Sequence, residues 1–300
     1  MSVHITICSS FGLLVFPVSE LTLCLFVVAS AHRRISYESI KVYLYGIQYH
    51  SLLHGHPTHI SSMFYLRYVL RGVKRIQGNT LQRPPRSPIT VSHLWSMLAF
   101  LSASSFPLHD KIMWHCVIVT AFFGLLRVSE FTCSNNIYDS SVHLSPADIS
   151  FNCDYSIMYI KIKASKTDPF RIGTVIRLAA IRGHKLCPVT AMRSYLQLRS
   201  LQPGPLFVLH SGAYLTRRYV AAFLRLALPG VPNINTHSFR IGGASAASSA
   251  GASDALIRIM GRWSSDCYTR YIRISDRSVT DFSHTIASAN TTDTWRPHDN

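Results

Sequence analysis

The sequence predicts a mainly α protein carrying one small antiparallel β-sheet, divided into two domains. Three observations lead there. Apolar residues recur at helical spacing through most of the 300-residue chain. One stretch alternates instead, with Met158, Ile160 and Ile162 on one face and Tyr159, Lys161 and Lys163 on the other. Gly78 to Pro88 contains Pro84, Pro85 and Pro88, which forbid a helix and favour an extended connection.

Taken in order, residues 1–19 are read as a poorly structured leader. The apolar start from Ile5 to Ala29 is broken by Pro17 and Glu20, and no Lys or Arg precedes its uncharged parts, which argues against a signal peptide and a membrane span. Residues 20–77 read as a helical domain: Leu21 to Ala31, a segment from a Ser36 cap, and Phe64 to Ile76. Arg67, Arg71, Lys74 and Arg75 fall on or near one side of the last helix. Residues 78–88 form the linker, with Arg83 and Arg86 on it. Residues 89–282 form the second domain. It begins with helices at Thr90–Ser104 and Asp110–Leu126, and the second ends in Arg127-Val128-Ser129-Glu130. Arg171 to Leu178 is a second strand, reached across the turn-rich Ala164–Pro169, so a hairpin or three-stranded sheet is expected. Pro188 opens a helix to Arg199, and Leu215 to Leu228 carries Arg217 and Arg218. Thr236 is the expected N-cap of a helix rich in small residues. Residues 283–300 are a polar tail.

Charge narrows the function. The chain holds 30 Lys and Arg against 14 Asp and Glu, a formal +16, and before Asp110 the acids are Glu20 and Glu38 alone. A bias of that size suits a polyanionic partner, with nucleic acid ahead of an anionic membrane. The seven cysteines form no CxxC pair, which disfavours a disulfide framework and a zinc site and suits a reducing compartment. His54, His56 and His59 cluster beside Gly55 and Pro57 and read as a loop.

The residues that suggest chemistry sit late in the chain. His237 and Arg240 are three apart, on one face of a helix. Gly261-Arg262-Trp263-Ser264-Ser265 follows, then Tyr268 and Tyr271. Guanidinium, imidazole, indole and phenol together suit a phosphodiester: arginine forks onto phosphate oxygens, imidazole moves a proton, and a tyrosine oxygen can bond to phosphorus. Arg127 ends a buried helix, where a charge needs a partner, and Glu130 is the nearest carboxylate in sequence.

These motifs resemble the tyrosine recombinases, the phage-integrase family, over roughly Leu21 to Arg273. The Gly261–Ser265 and Arg270–Arg273 wording is most similar to the versions carried by eukaryotic mobile elements, Crypton-like and DIRS-like. The resemblance implies a two-domain C-shaped clamp on duplex DNA. It implies phosphate ligation by Arg127, Arg240 and Trp263, proton transfer by His237, and nucleophilic attack by Tyr271 to give a 3′-phosphotyrosyl enzyme. Tyr271 lies eight residues after Trp263 where nine is common, so Tyr268 stays open as the alternative nucleophile. A hairpin lysine is implied as the general acid, Lys166 first, with Lys163 and Lys161 as rivals. Glu130 is expected to hold Arg127. Arg67, Arg71, Lys74, Arg75, Arg83, Arg86, Lys161, Lys163, Arg217 and Arg218 are the expected DNA-binding cations. The resemblance further implies no metal and no cofactor, self-association as a tetramer on DNA, and a nuclear location. Two alternatives stay open: DNA relaxation of the type IB topoisomerase kind, and a decayed or domesticated copy that binds DNA without catalysis.

Overall fold

A computed structural model describes residues 2–78, 84–134, 137–165, 168, 170–199, 203–274 and 276–288. The chain divides into two compact units, Met1–Pro84 and Pro85–Asn300.

The first unit is helical. Its elements are α1 (Ser2–Ser10), α2 (Glu20–His32), α3 (Tyr37–Leu53), a 3₁₀ turn (Ile60–Ser62) and α4 (Phe64–Gln77). Its core gathers Leu23, Phe26 and Val27 of α2, Ile40, Leu44 and Ile47 of α3, and Leu66 and Val73 of α4. Where a poorly structured leader was expected, Ser2–Ser10 is helical, and Ile7 and Val18 enter this core. Two side chains from other helices satisfy backbone groups at helix starts. Glu20 Oε1 accepts the Leu66 N–H (2.9 Å) at the start of α4. Gln77 accepts the Tyr37 N–H (2.8 Å) and donates to the Ile35 carbonyl (2.8 Å), tying the end of α4 to the start of α3. Ser36 caps α3 through the Ser39 N–H, as its sequence position predicts.

The second unit is built on α6 (Leu108–Phe123), which is buried along most of its length from Met113 to Phe122. α5 (Val91–Ala103), α8 (Pro188–Leu198) and α9 (Arg217–Ala227) pack into the same core, where Trp114 stacks on Phe223 with centroids 4.2 Å apart. The short α7 (Val128–Phe131) leads to a sheet ordered β1 (Ile149–Phe151), β2 (Ile157–Ile162) and β3 (Thr174–Ala179), antiparallel throughout. Ile160 pairs with Ile149 and Ile176, and Met158 with Leu178. The period-2 reading holds: Met158, Ile160 and Ile162 face the core, whereas Lys161, Val175 and Arg177 face solvent. α10 (Ser238–Ser249), α11 (Asp254–Gly261), a 3₁₀ turn (Asp266–Arg270) and α12 (Asp276–Ser288) complete the unit.

Glycine decides how close α10 can lie. A Cβ on Gly242 would fall on the Ile89 carbonyl, and one on Gly243 would crowd the Phe122 carbonyl. The Ile89 N–H donates to the Ser238 carbonyl (3.0 Å), so chain entering the unit is fastened to the first turn of α10. The expected Thr236 cap is not formed. α10 begins at Ser238, and the turn before it is closed by Asn235, whose Oδ1 accepts the His237 N–H (2.9 Å) and whose N–H bonds Ser238 Oγ (3.0 Å).

Candidate active site

Arg127 lies between α6 and α7, after a turn through Leu125, whose φ is 46°. Glu130, three residues on and with a side chain 0% exposed, reaches back to it. Oε1 accepts from Arg127 Nη1 (2.9 Å) and Oε2 from the Arg127 backbone N–H (2.8 Å). A carboxylate buried that deeply is stable only if paired, and the guanidinium supplies the pair.

Arg240 is wholly buried in the first turns of α10. Nη1 donates to the Leu125 carbonyl (2.5 Å) and Nη2 to the Gly261 carbonyl, while Nε is buried with no partner. Its Cζ sits 4.1 Å from the Trp263 ring centroid and 5.5 Å from that of Tyr271. Burial lowers the Arg240 pKa to about 9, and the repulsion of Arg127 and then Arg262 adds to it. An anion would relieve that repulsion.

Trp263 fits because residue 261 is glycine: a Cβ there would lie inside the indole ring. Tyr271 follows the 3₁₀ turn and is half-buried, its ring centroid 5.1 Å from that of Trp263. Its backbone is held by Ser245, whose Oγ contacts the Tyr271 carbonyl (3.2 Å) and accepts the Arg273 N–H (2.8 Å). Tyr268 is buried with Leu125, Ala244, Ile257 and Trp263, its ring centroid 6.3 Å from that of Trp263, and Asp254 raises its phenol pKa.

His237 has a buried Nδ1 without a partner. Burial holds its imidazole below the usual range, and Arg86, Arg217, Arg240 and Arg127 push it lower. These five residues thus share one electrostatic neighbourhood. Arg86, Arg217 and Arg218 are exposed. Among the described residues no trio of His, Cys, Asp or Glu could hold a metal ion, and no helix is long and apolar enough to cross a membrane.

Lys166 and Arg83 lie outside the described residues. Lys163, expected as a DNA-binding cation and a rival general acid, is engaged within the protein. Its ammonium bonds Asp148 (2.7 Å) and the carbonyls of Ser140 (2.9 Å) and His143 (3.1 Å), so all three donors are committed. Lys161 is exposed on β2. In the first unit, Arg67, Arg71, Lys74 and Arg75 are exposed along one face of α4, beside Phe64 and Tyr68, whose rings lie 4.8 Å apart. Arg262, unassigned in the sequence, is the cation that sequence reasoning missed. It donates Nη2 to Glu130 Oε2 (2.7 Å), the oxygen that also accepts the Arg127 N–H. No spacing rule announces a contact between residues 132 apart.

This arrangement can receive a tetrahedral anion. Two guanidiniums and an indole lie together, a phenol borders them, and a neutral imidazole shares their field. A mostly helical chain with a small three-stranded antiparallel sheet matches the fold of the tyrosine recombinases and integrases. The structure is similar to XerH site-specific recombinase bound to palindromic difH substrate in a post-cleavage complex, with TM-score 0.60 and 13% identity over 91% of this chain and 73% of that one. It is also similar to the Tn1549 transposon integrase in complex with circular intermediate DNA, with TM-score 0.54 and 14% identity over 90% and 86%. A lambda integrase dimer bound to a COC′ core site matches with TM-score 0.50 and 14% identity over 87% and 65%. No protein-family model and no curated protein sequence matches the chain.

Proposed function

We propose that this chain is a site-specific DNA recombinase or integrase that cuts and rejoins duplex DNA through a 3′-phosphotyrosyl intermediate. The observation that carries this reading is the packing of Arg240 against both Trp263 and Tyr271, with Arg127 close enough to depress its pKa. The buried, unpartnered Nε of Arg240 adds a donor in want of an acceptor. That the similar folds were solved as recombinase and integrase complexes with DNA supports the same partner here.

In the reaction, Tyr271 Oη attacks the phosphorus and the bond to the 5′ oxygen breaks. Arg127 and Arg240 neutralise the non-bridging oxygens as charge grows in the transition state. His237 takes the phenol proton, which its lowered pKa allows because the imidazole is neutral near pH 7. A hairpin lysine, Lys166 by its place in the sequence, protonates the leaving oxygen. A 5′ hydroxyl from a second strand then attacks the phosphotyrosine and frees Tyr271, so each ester bond broken is matched by one formed. Trp263 packs against Arg240 and holds its plane.

The wording around Trp263 and Tyr271 supports a eukaryotic mobile-element origin and therefore nuclear work. Exposed Ile274, Val279 and Phe282, on and just before α12, support contact with further copies of the chain during strand exchange. The test is supercoiled plasmid carrying element-flanking DNA, incubated with the protein in EDTA and quenched with SDS. Protein covalently joined to 3′ ends, absent with Tyr271→Phe, is the expected result. Salt-sensitive binding without any adduct would sink the enzymatic reading.

A further inference from the structure

Arg262 occupies a backbone position that ordinarily selects glycine. It closes α11 in the left-handed region (φ 56°, ψ 47°). An arginine kept there invites the question of what its side chain does. That side chain is almost wholly enclosed, 9% exposed, and its bonds are specific. Nη1 donates to the carbonyls of Gly124 (3.2 Å) and Met260 (3.0 Å). Nη2 donates to the Leu125 carbonyl (3.3 Å) and to Glu130 Oε2 (2.7 Å). Four acceptors therefore meet the four Nη hydrogens, which are all spent within the protein, while the Nε–H is buried without a partner.

The same bonds run on from residue to residue. Arg262 holds one oxygen of Glu130, and the other oxygen holds Arg127 Nη1. Arg262 also grips the turn at Gly124 and Leu125 that delivers Arg127. On its other side it is joined directly to Trp263 and leads to Tyr271. We propose that Arg262 is a positioning residue: it sets the guanidinium of Arg127 through Glu130, and so couples the seating of the 263–271 segment to the readiness of the anion site. This rests on the function proposed above for the site, but its test does not need strand transfer.

Inorganic sulfate serves as the probe, with affinity read by calorimetry on the full chain. Arg262→Lys keeps the charge but loses the fork, and it is expected to weaken sulfate about tenfold. Arg127→Lys should weaken it similarly in the unaltered background yet add little once Arg262 is lysine. The Glu130→Gln and Arg262→Lys pair should likewise be non-additive. Full additivity, or unchanged sulfate affinity in Arg262→Lys, overturns the inference. Should that variant not fold, the unaltered chain decides by side-chain arginine NMR. Sulfate should then shift the Arg127 and Arg240 guanidinium signals and leave the Arg262 Nη signals in place. A shift at Arg262 as large as theirs would make it a phosphate ligand and refute the positioning role. Absence of a covalent DNA adduct from the unaltered chain would instead count against the recombinase reading alone.

Discussion

Tyr271 and Tyr268 differ in what surrounds their rings. Both rings lie near Trp263, Tyr271 with its centroid at 5.1 Å and Tyr268 at 6.3 Å, but of the two it is Tyr271 that also borders Arg240, while Asp254 raises the Tyr268 phenol pKa. Tyr271→Phe is therefore expected to abolish the SDS-stable adduct, and Tyr268→Phe to keep it with a small fall in Tm. Arg240→Ala should lower the rate of adduct formation by about 10²–10³, measured in single-turnover reactions. The pH profile follows from His237. Its folded pKa lies below the ordinary imidazole value, so the base form persists on mild acidification. The kcat/KM of adduct formation should hold from pH 7 down through the ordinary imidazole value of about 6.5 and fall only at lower pH, and His237→Gln should remove that acid limb. Stability shifts the same way: the folded state binds this proton less readily than the unfolded chain, so folding weakens as pH falls below the unfolded value.

At the level of elements, α10 shows both what can be read from a sequence and what cannot. The small residues from Gly242 to Ala250 announce a close-packed helix, and the structure puts the Ile89 and Phe122 carbonyls against Gly242 and Gly243. Gly242→Ala should cost about 1–3 kcal/mol, seen as a lowered Tm. The strand alternation at 158–162 was equally plain, since a half-buried strand repeats every two residues. The helix start at Ser238 was not. Asn235 and Thr236 are both common caps, yet the N-cap position falls to His237, and Asn235 closes the turn before it by a local bond to the His237 N–H. α1 escaped notice because its apolar residues find their partners in a core shared with α2 to α4, and α12 because its second half, from Ser283 to Ser288, is mostly polar and has no apolar spacing of its own strong enough to announce a helix. Lys163 looked available by alternation, yet Asp148, from the turn before β1, holds it. Arg262 joins Glu130 by a contact that only the folded chain creates.

For the whole molecule, the +16 charge is the dominant fact. Duplex affinity should fall steeply with salt. Arg71→Gln on the basic face of α4 should weaken all duplexes alike and reduce the salt slope by about 0.9 for each phosphate it ceases to neutralise. A change of slope confined to one sequence would mean base readout instead.

Gly261 and Trp263 leave a final consequence, which concerns descent rather than mechanism. The indole occupies the volume that any side chain at 261 would need, so the two positions cannot drift independently. In related chains, a residue larger than glycine at 261 should be accompanied by something smaller than tryptophan at 263. A copy that breaks this pairing has lost the platform on which Arg240 lies, and can be recognised as a relic from two letters of its sequence.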